Sequence, residues 1–201
     1  MQVNLVSIWQ KYNYNYLFKN LTLNFYRNNK YAITGANGSG KSTLIKIIAS
    51  LISPTKGQVN YSINGKEILK EDTTRFLSML APYLEPEANL NLNEQLELYK
   101  SFRPVCNHLS IDKILDLISL TKHREQVISK LSSGMKQRLK LALAFCFKSE
   151  IILLDEPTSY LDSMGIDLYN YFIENYTENK ILIIASNQKH EISCCNHVIE
   201  L

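Results

Sequence analysis

The segment Gly35-Ala-Asn-Gly-Ser-Gly-Lys41-Ser42-Thr43 limits what this chain can be more than any other stretch. It fits G-x-x-x-x-G-K-S. Before it lies Lys30–Thr34, a short apolar run that reads as a buried strand, and after it Thr43–Ser50, whose apolar spacing reads as a helix. Glycines let the backbone curl until successive N–H groups point inward, and the helix adds the positive end of its dipole to the same cradle. The expectation is a phosphate-binding loop. Gly35, Ala36, Asn37, Gly38, Ser39 and Gly40 wrap the anion, Lys41 reaches the β- and γ-phosphates, Ser42 places its hydroxyl on Mg²⁺, and Thr43 supports the loop from behind. A Gly-rich turn with an incidental Lys and Ser has no reason to carry both flanks.

A second feature answers the first. Ile151-Ile-Leu-Leu-Asp155-Glu156 is a buried-strand pattern ending in two acids, at the end where open α/β sheets put their ligands. Neighbouring strand residues point opposite ways, so the acids can have separate tasks: Asp155 on Mg²⁺ and Glu156 as general base for an attacking water. Carboxylates following four aliphatics are costly to bury without a cation nearby.

Composition excludes other classes. With 22 Lys and Arg against 19 Asp and Glu, the net charge is +3, and no run of five like charges occurs, so nucleic acid is not implied. The apolar runs Ile151–Leu154 and Ile181–Ala185 fall far short of the roughly 20 residues that span a bilayer. Met1-Gln-Val-Asn-Leu5 has no basic region followed by an apolar stretch, so a cytosolic chain is expected. The four cysteines read as free thiols. His190, Cys194 and His197 would share one helix face, but a structural zinc needs a fourth ligand that is missing.

Along the chain, residues 3–9 and 21–26 alternate as half-buried antiparallel strands, and 58–63 returns to alternation. Between Glu85 and Lys148 the pattern is helical, at 93–102, 111–120 and 132–147, as a subdomain inserted in an α/β core. Ile151–Leu154 and Ile181–Ile184, with a helix over 167–175 between them, read as a βαβ unit.

Phosphate loop and carboxylates also fit kinases and GTPases; Leu131-Ser132-Ser133-Gly134-Met135 separates them. It resembles the L-S-G-G-Q signature of ATP-binding cassette (ABC) ATPases. Ser132 can cap a helix whose apolar positions Met135, Leu139, Ala142 and Cys146 share a face. The spacings are similar to the family's: 20 residues from Met135 to Asp155 and 114 from Lys41 to Asp155. Ser159 with Leu161-Asp162 resembles the loop that couples two sites across a cassette dimer. Tyr12 stands where the family stacks an aromatic on adenine, with Tyr14 and Tyr16 as competitors.

The resemblance covers essentially the whole chain and looks most like small bacterial exporter cassettes, such as haem-exporter ATPases. It implies an α/β, P-loop NTPase (RecA-like) core (1–84 and 149–201) with an N-terminal antiparallel β subdomain and an inserted helical signature subdomain (85–148), together one domain. It implies an ATPase that uses ATP and Mg²⁺, pairs with a second cassette, and drives an integral membrane transporter subunit from the cytoplasmic face of the inner membrane. Ser132, Ser133 and Gly134 would meet the partner cassette's nucleotide. Tyr83, Tyr99 and Phe102 would line a membrane-subunit groove or belong to the core.

Three departures stand out. Asn187 occupies the family's switch-histidine position, where it keeps an amide N–H for the γ-phosphate but cannot be protonated. No glutamine occurs in Leu80–Glu85, so Glu85 is the nearest polar replacement, a second Mg²⁺ candidate or a solvated loop acid. Ser133 and Met135 replace Gly and Gln of the signature. The alternative function is an ATP-binding regulatory or assembly subunit with slow hydrolysis.

Overall fold

The computed structural model describes residues 1–12 and 15–201, with Tyr12 described by its backbone alone. Packing divides them into two compact units: Met1–Met79, Ser149–Asp155 and Asn179–Leu201 form one, Leu80–Lys148 and Glu156–Glu178 the other. The sequence boundary put all of 149–201 with the core; packing groups 156–178 with the helices instead.

The first unit holds two sheets. β1 (Gln2–Tyr12), β2 (Asn15–Tyr26), β4 (Lys56–Ile63) and β5 (Lys66–Ile68) form an antiparallel sheet in the order β2-β1-β4-β5. Alternation places Val3 and Leu5 inside, opposite Phe25 and Leu23 on β2. The period then slips. Ser7 is left-handed at φ 50°, the β1–β2 register shifts between Leu5 and Ile8, and Ile8 rather than Ser7 is buried, as a bulge requires.

The other sheet has the order β6-β7-β8-β3-β9, from β6 (Leu77–Leu80), β7 (Ile151–Asp155), β8 (Ile181–Ala185), β3 (Asn29–Thr34) and β9 (His197–Glu200). β7, β8, β3 and β9 are parallel. β7 and β8 are buried at every position, as their unbroken aliphatic runs predict. Helix α1 (Lys41–Ile48) buries Leu44, Ile45, Ile47 and Ile48 in a core shared with Val3, Phe25, Ile33, Leu153 and Ile183. Burying so many aliphatics is the main force assembling the unit. β5, β6 and β9 are short strands that periodicity does not reveal.

The second unit is helical: α2 (Leu92–Phe102), α3 (Ile111–Leu117), α4 (Ser133–Phe145) and α5 (Ser163–Tyr176). Each has a side-chain N-cap (Asn91, Ser110, Ser132 and Asp162), with a full capping box between Asn91 and Glu94. α5 begins four residues before the expected Asp167, because Asp162 Oδ1 accepts from the Gly165 N–H at 2.9 Å. α4 is more enclosed than its expected apolar stripe. Residues 139–145 are buried all round, and Phe145 stacks on Phe172 of α5 with ring centroids 5.1 Å apart. In the first unit, α6 (Lys189–Ile192) carries His190 but ends before Cys194, and His197 lies in β9 stacked on Tyr31, so these three do not share a helix face. Among the described residues no helix is long and apolar enough to cross a membrane.

Candidate functional site

β3 register sets up the loop. Ile33 is level with Ala185, and Ala185 with Asp155, so the C-terminal ends of three adjacent strands finish at one height. Beyond them β3 turns directly into the loop and α1. Gly35 has φ 141° and Gly40 φ 107°, conformations that residues with a Cβ rarely adopt. A Cβ on Gly35 would stand 2.5 Å from the Leu201 carbonyl oxygen, so that site excludes a side chain by space as well, and one on Gly40 would be tight against the Phe18 ring at 3.0 Å. Ala36, Asn37 and Gly38 form an exposed tip.

No side chain caps α1, and its first turn carries no acid, so neither a capping side chain nor a local carboxylate offsets the partial positive charge of its first N–H groups. Lys41 is 8% exposed, with its ammonium turned back onto the loop, donating to the Gly35 carbonyl at 2.7 Å and the Ala36 carbonyl at 3.2 Å. Ser42 is exposed in the first turn, and Thr43 is half-buried behind it. Asp155, 2% exposed, ends β7. Burying a carboxylate favours a cation as its partner, and Ser42 and Asp155 carry oxygens of the kind that hard Mg²⁺ prefers. The donor set fits a Mg-nucleotide.

The two adjacent acids differ in surroundings: Asp155 is enclosed, whereas Glu156 is exposed. Glu156 is left-handed at φ 47°, an uncommon state for a non-glycine residue, and the chain leaves the strand direction there.

Asn187 falls where the register puts it. Two residues past the Ile33–Ala185 pair, its side chain meets the Gly35 backbone: the Gly35 N–H donates to Oδ1 at 3.2 Å, and Nδ2 donates to the Gly35 carbonyl at 2.9 Å. Sequence reasoning aimed this amide at a phosphate; in the structure it holds the loop.

In the second unit, Ser132 accepts from the Met135 N–H at 3.2 Å and caps α4. Exposed Ser133 and half-buried Gly134 follow it in the first turn, with Gly134 close to the Tyr160 carbonyl. Glu156 lines a cavity of ≈ 130 Å³ together with Glu85, Ser133, Gln137, Lys140 and Ser159. Glu85 makes an ion pair with Lys140, which is 8% exposed. Two α4 residues that sequence reasoning did not single out are therefore structural anchors here: Lys140, and buried Gln137, which donates to the Pro157 carbonyl at 2.6 Å. Local sequence offers little signal, because Gln137 and Lys140 sit among the polar residues Lys136 and Arg138 of the same helix. Asp162 bonds Arg138 at 2.9 Å, and the Gly165 N–H, then Arg138, hold its carboxyl below the usual range.

The Tyr12 side chain and the whole of Tyr14 lie outside the described residues. Tyr16 packs edge-on against Trp9 at 5.6 Å, with the Lys19 ammonium 4.8 Å from its ring centre.

The ABC transporter family model matches residues 18–159. The chain is 32% identical over 179 residues to the bacitracin transport ATP-binding protein BcrA of Bacillus licheniformis, covering 86% of this chain and 57% of that protein's length. It is 27% identical over 203 residues to the lantibiotic transport ATP-binding protein SrtF of Streptococcus pyogenes, covering 98% and 84%. Its fold matches the ATP-binding cassette MJ0796, solved as a post-hydrolysis dimer bound to ADP and Pi, with a TM-score of 0.80 and 24% identity over 99% of this chain and 94% of that one. Among the curated relatives, the chain thus spans little more than half of BcrA. A phosphate loop on a parallel sheet, a buried carboxylate ending another strand of the same sheet and a family match over residues 18–159 agree: the chain belongs to the ABC transporter family, as an ATP-binding cassette of the α/β P-loop kind whose cofactors are ATP and Mg²⁺.

Proposed function

We propose that this cassette is the ATP-hydrolysing subunit of a transporter, and that its two units work as a single domain. Two cassettes close on ATP, and hydrolysis opens them. The motion drives a separate integral membrane subunit from the cytoplasmic face of the inner membrane. The observation that carries the reading is the Gly35–Thr43 loop, left-handed at Gly35, Gly38 and Gly40, beside an uncapped helix start and a buried Asp155.

In this reading Lys41 leaves the Gly35 and Ala36 carbonyls for the β- and γ-phosphates, a better electrostatic partner than two neutral oxygens. Mg²⁺, held by Ser42 and Asp155, supplies charge neutralisation at those phosphates. Glu156, exposed and unburdened by burial, takes the proton of the attacking water. Ser132, Ser133 and Gly134 offer an α4 N-terminus to the nucleotide of the partner cassette. Glu85 serves the cavity through Lys140. Tyr12 stacks on adenine. The stretch 83–102 exposes Tyr83, Leu98, Tyr99 and Phe102, the last 76% exposed, which suits a membrane-subunit contact better than the core.

Glu156→Gln removes the base and keeps the shape. Turnover falls by about 10² to 10⁴, the usual worth of a general base, while ATP affinity is unchanged. Equal turnover in the two proteins rules the assignment out. If the unaltered chain dimerises on ATP but returns it intact after hours, the subunit is a regulator rather than a motor.

A further inference from the structure

The carboxamide of Asn187 and the peptide of Gly35 form a closed two-bond ring, 152 residues apart in sequence. Only one amide orientation satisfies both bonds, since Gly35 offers one donor and one acceptor. The same Gly35 carbonyl also accepts from Lys41 at 2.7 Å, so one oxygen ties together the loop, its lysine and the end of β8. From this geometry we infer that Asn187 is a positioning residue that latches the entry of the phosphate loop, acting on nucleotide binding as a whole rather than on the γ-phosphate. The inference rests on the nucleotide-binding reading of Gly35–Thr43.

The physical argument concerns what happens to Gly35 when phosphate arrives. A carbonyl oxygen has two acceptor sites, both used in this arrangement. Phosphate draws the Lys41 ammonium away and one of them empties. Gly35, at φ 141°, has the freedom of a residue without Cβ, and its peptide can rotate and take the first amide out of the cradle. The Asn187 Nδ2–H keeps the carbonyl bonded, and Oδ1 keeps the N–H bonded, through that exchange. A carboxamide does this at any pH because it does not titrate. The latch is independent of phosphate number: the cradle amides surround the inner phosphates, which ADP and ATP share.

The test compares Asn187→Ala, and Asn187→Leu as a variant of similar volume, with the unaltered full chain. Affinities for Mg-ADP and Mg-ATP are measured by calorimetry, KM and kcat by phosphate release, and folding by thermal melting. The latch predicts that both variants bind ADP and ATP about tenfold more weakly, by a common factor. KM rises by a similar factor, kcat stays within about twofold, and melting is little changed in at least one variant. Loss confined to ATP, or a fall in kcat with ADP affinity intact, overturns the latch and assigns Asn187 to the γ-phosphate. Unchanged affinity for both nucleotides also overturns it. If the unaltered chain binds neither nucleotide, the underlying reading fails, an outcome separate from failure of the latch.

Discussion

At the scale of single residues, the phosphate loop was legible because its chemistry is contiguous. The glycines that shape it, the lysine that serves it and the serine that finishes it fall within eight consecutive positions, Gly35 to Ser42. Glu85 was legible only as an acid near a missing glutamine. Its partner Lys140 is 55 residues away, and whether a helix lysine is buried depends on what packs over it. Their unequal exposure, 55% for the Glu85 side chain against 9% for that of Lys140, gives an asymmetric prediction. Glu85→Ala strands a buried cation and destabilises the chain by about 1–3 kcal/mol, whereas Lys140→Met fills the same space without charge and costs less. Urea midpoints of the two variants decide it; the reverse order would contradict the account.

Among elements, a phenol adds a hydrogen bond between α1 and the antiparallel sheet to the apolar core they share. Tyr61 on β4, 2% exposed, donates to the Ile48 carbonyl at 2.9 Å in the last turn of α1, and Ser50 Oγ lies 2.8 Å from the Tyr61 hydroxyl oxygen. Burial pushes the Tyr61 phenol up to about 12, against 10 when unfolded. The native state holds its proton where the unfolded state releases it, so this contribution is whole below pH 10 and is lost as pH rises from 10 through 12. Two units correspond to at most about 2–3 kcal/mol. Burial of Tyr176 acts in the same direction. Stability measured across pH 9–12 therefore declines, and in Tyr61→Phe the decline is shallower from a lower starting point; identical slopes would exclude Tyr61 as a source. Alternation showed β4 as a strand but not what its phenol would bond.

For the whole molecule, ligand linkage is the accessible readout. A ligand that binds the folded chain at 100 times its Kd adds about 2.7 kcal/mol of stability. For a chain of this size that raises Tm by roughly 5–10 °C. Mg-ATP produces such a shift in the unaltered protein, and Lys41→Ala removes most of it, because the ammonium is the loop's one mobile positive charge. A shift of the same size in Lys41→Ala would mean that nucleotide binds elsewhere. The sequence placed a helical region, 85–148, between two parts of an α/β core; packing forms one unit from Leu80–Lys148 and Glu156–Glu178. The sequence reading put 156–178 with the core, because amphipathic α5 looks the same whichever apolar surface it covers.

Sequence alone determined the features whose physics is local: the glycine-shaped loop, the acids ending an aliphatic strand, the capped start of α4 and the fully buried strands β7 and β8. Backbone conformation and hydrophobic period are written into neighbouring residues, so these follow without knowing the fold. Tertiary structure decided what depends on register and enclosure. It put Asn187 level with Gly35, slipped β1 at Ser7, enclosed Lys140 and Gln137, and aligned the short strands β6 and β9 whose residues carry no period of their own. Hydrogen bonds across 152 residues form only once parallel strands have fixed their relative height, and no local pattern encodes that height.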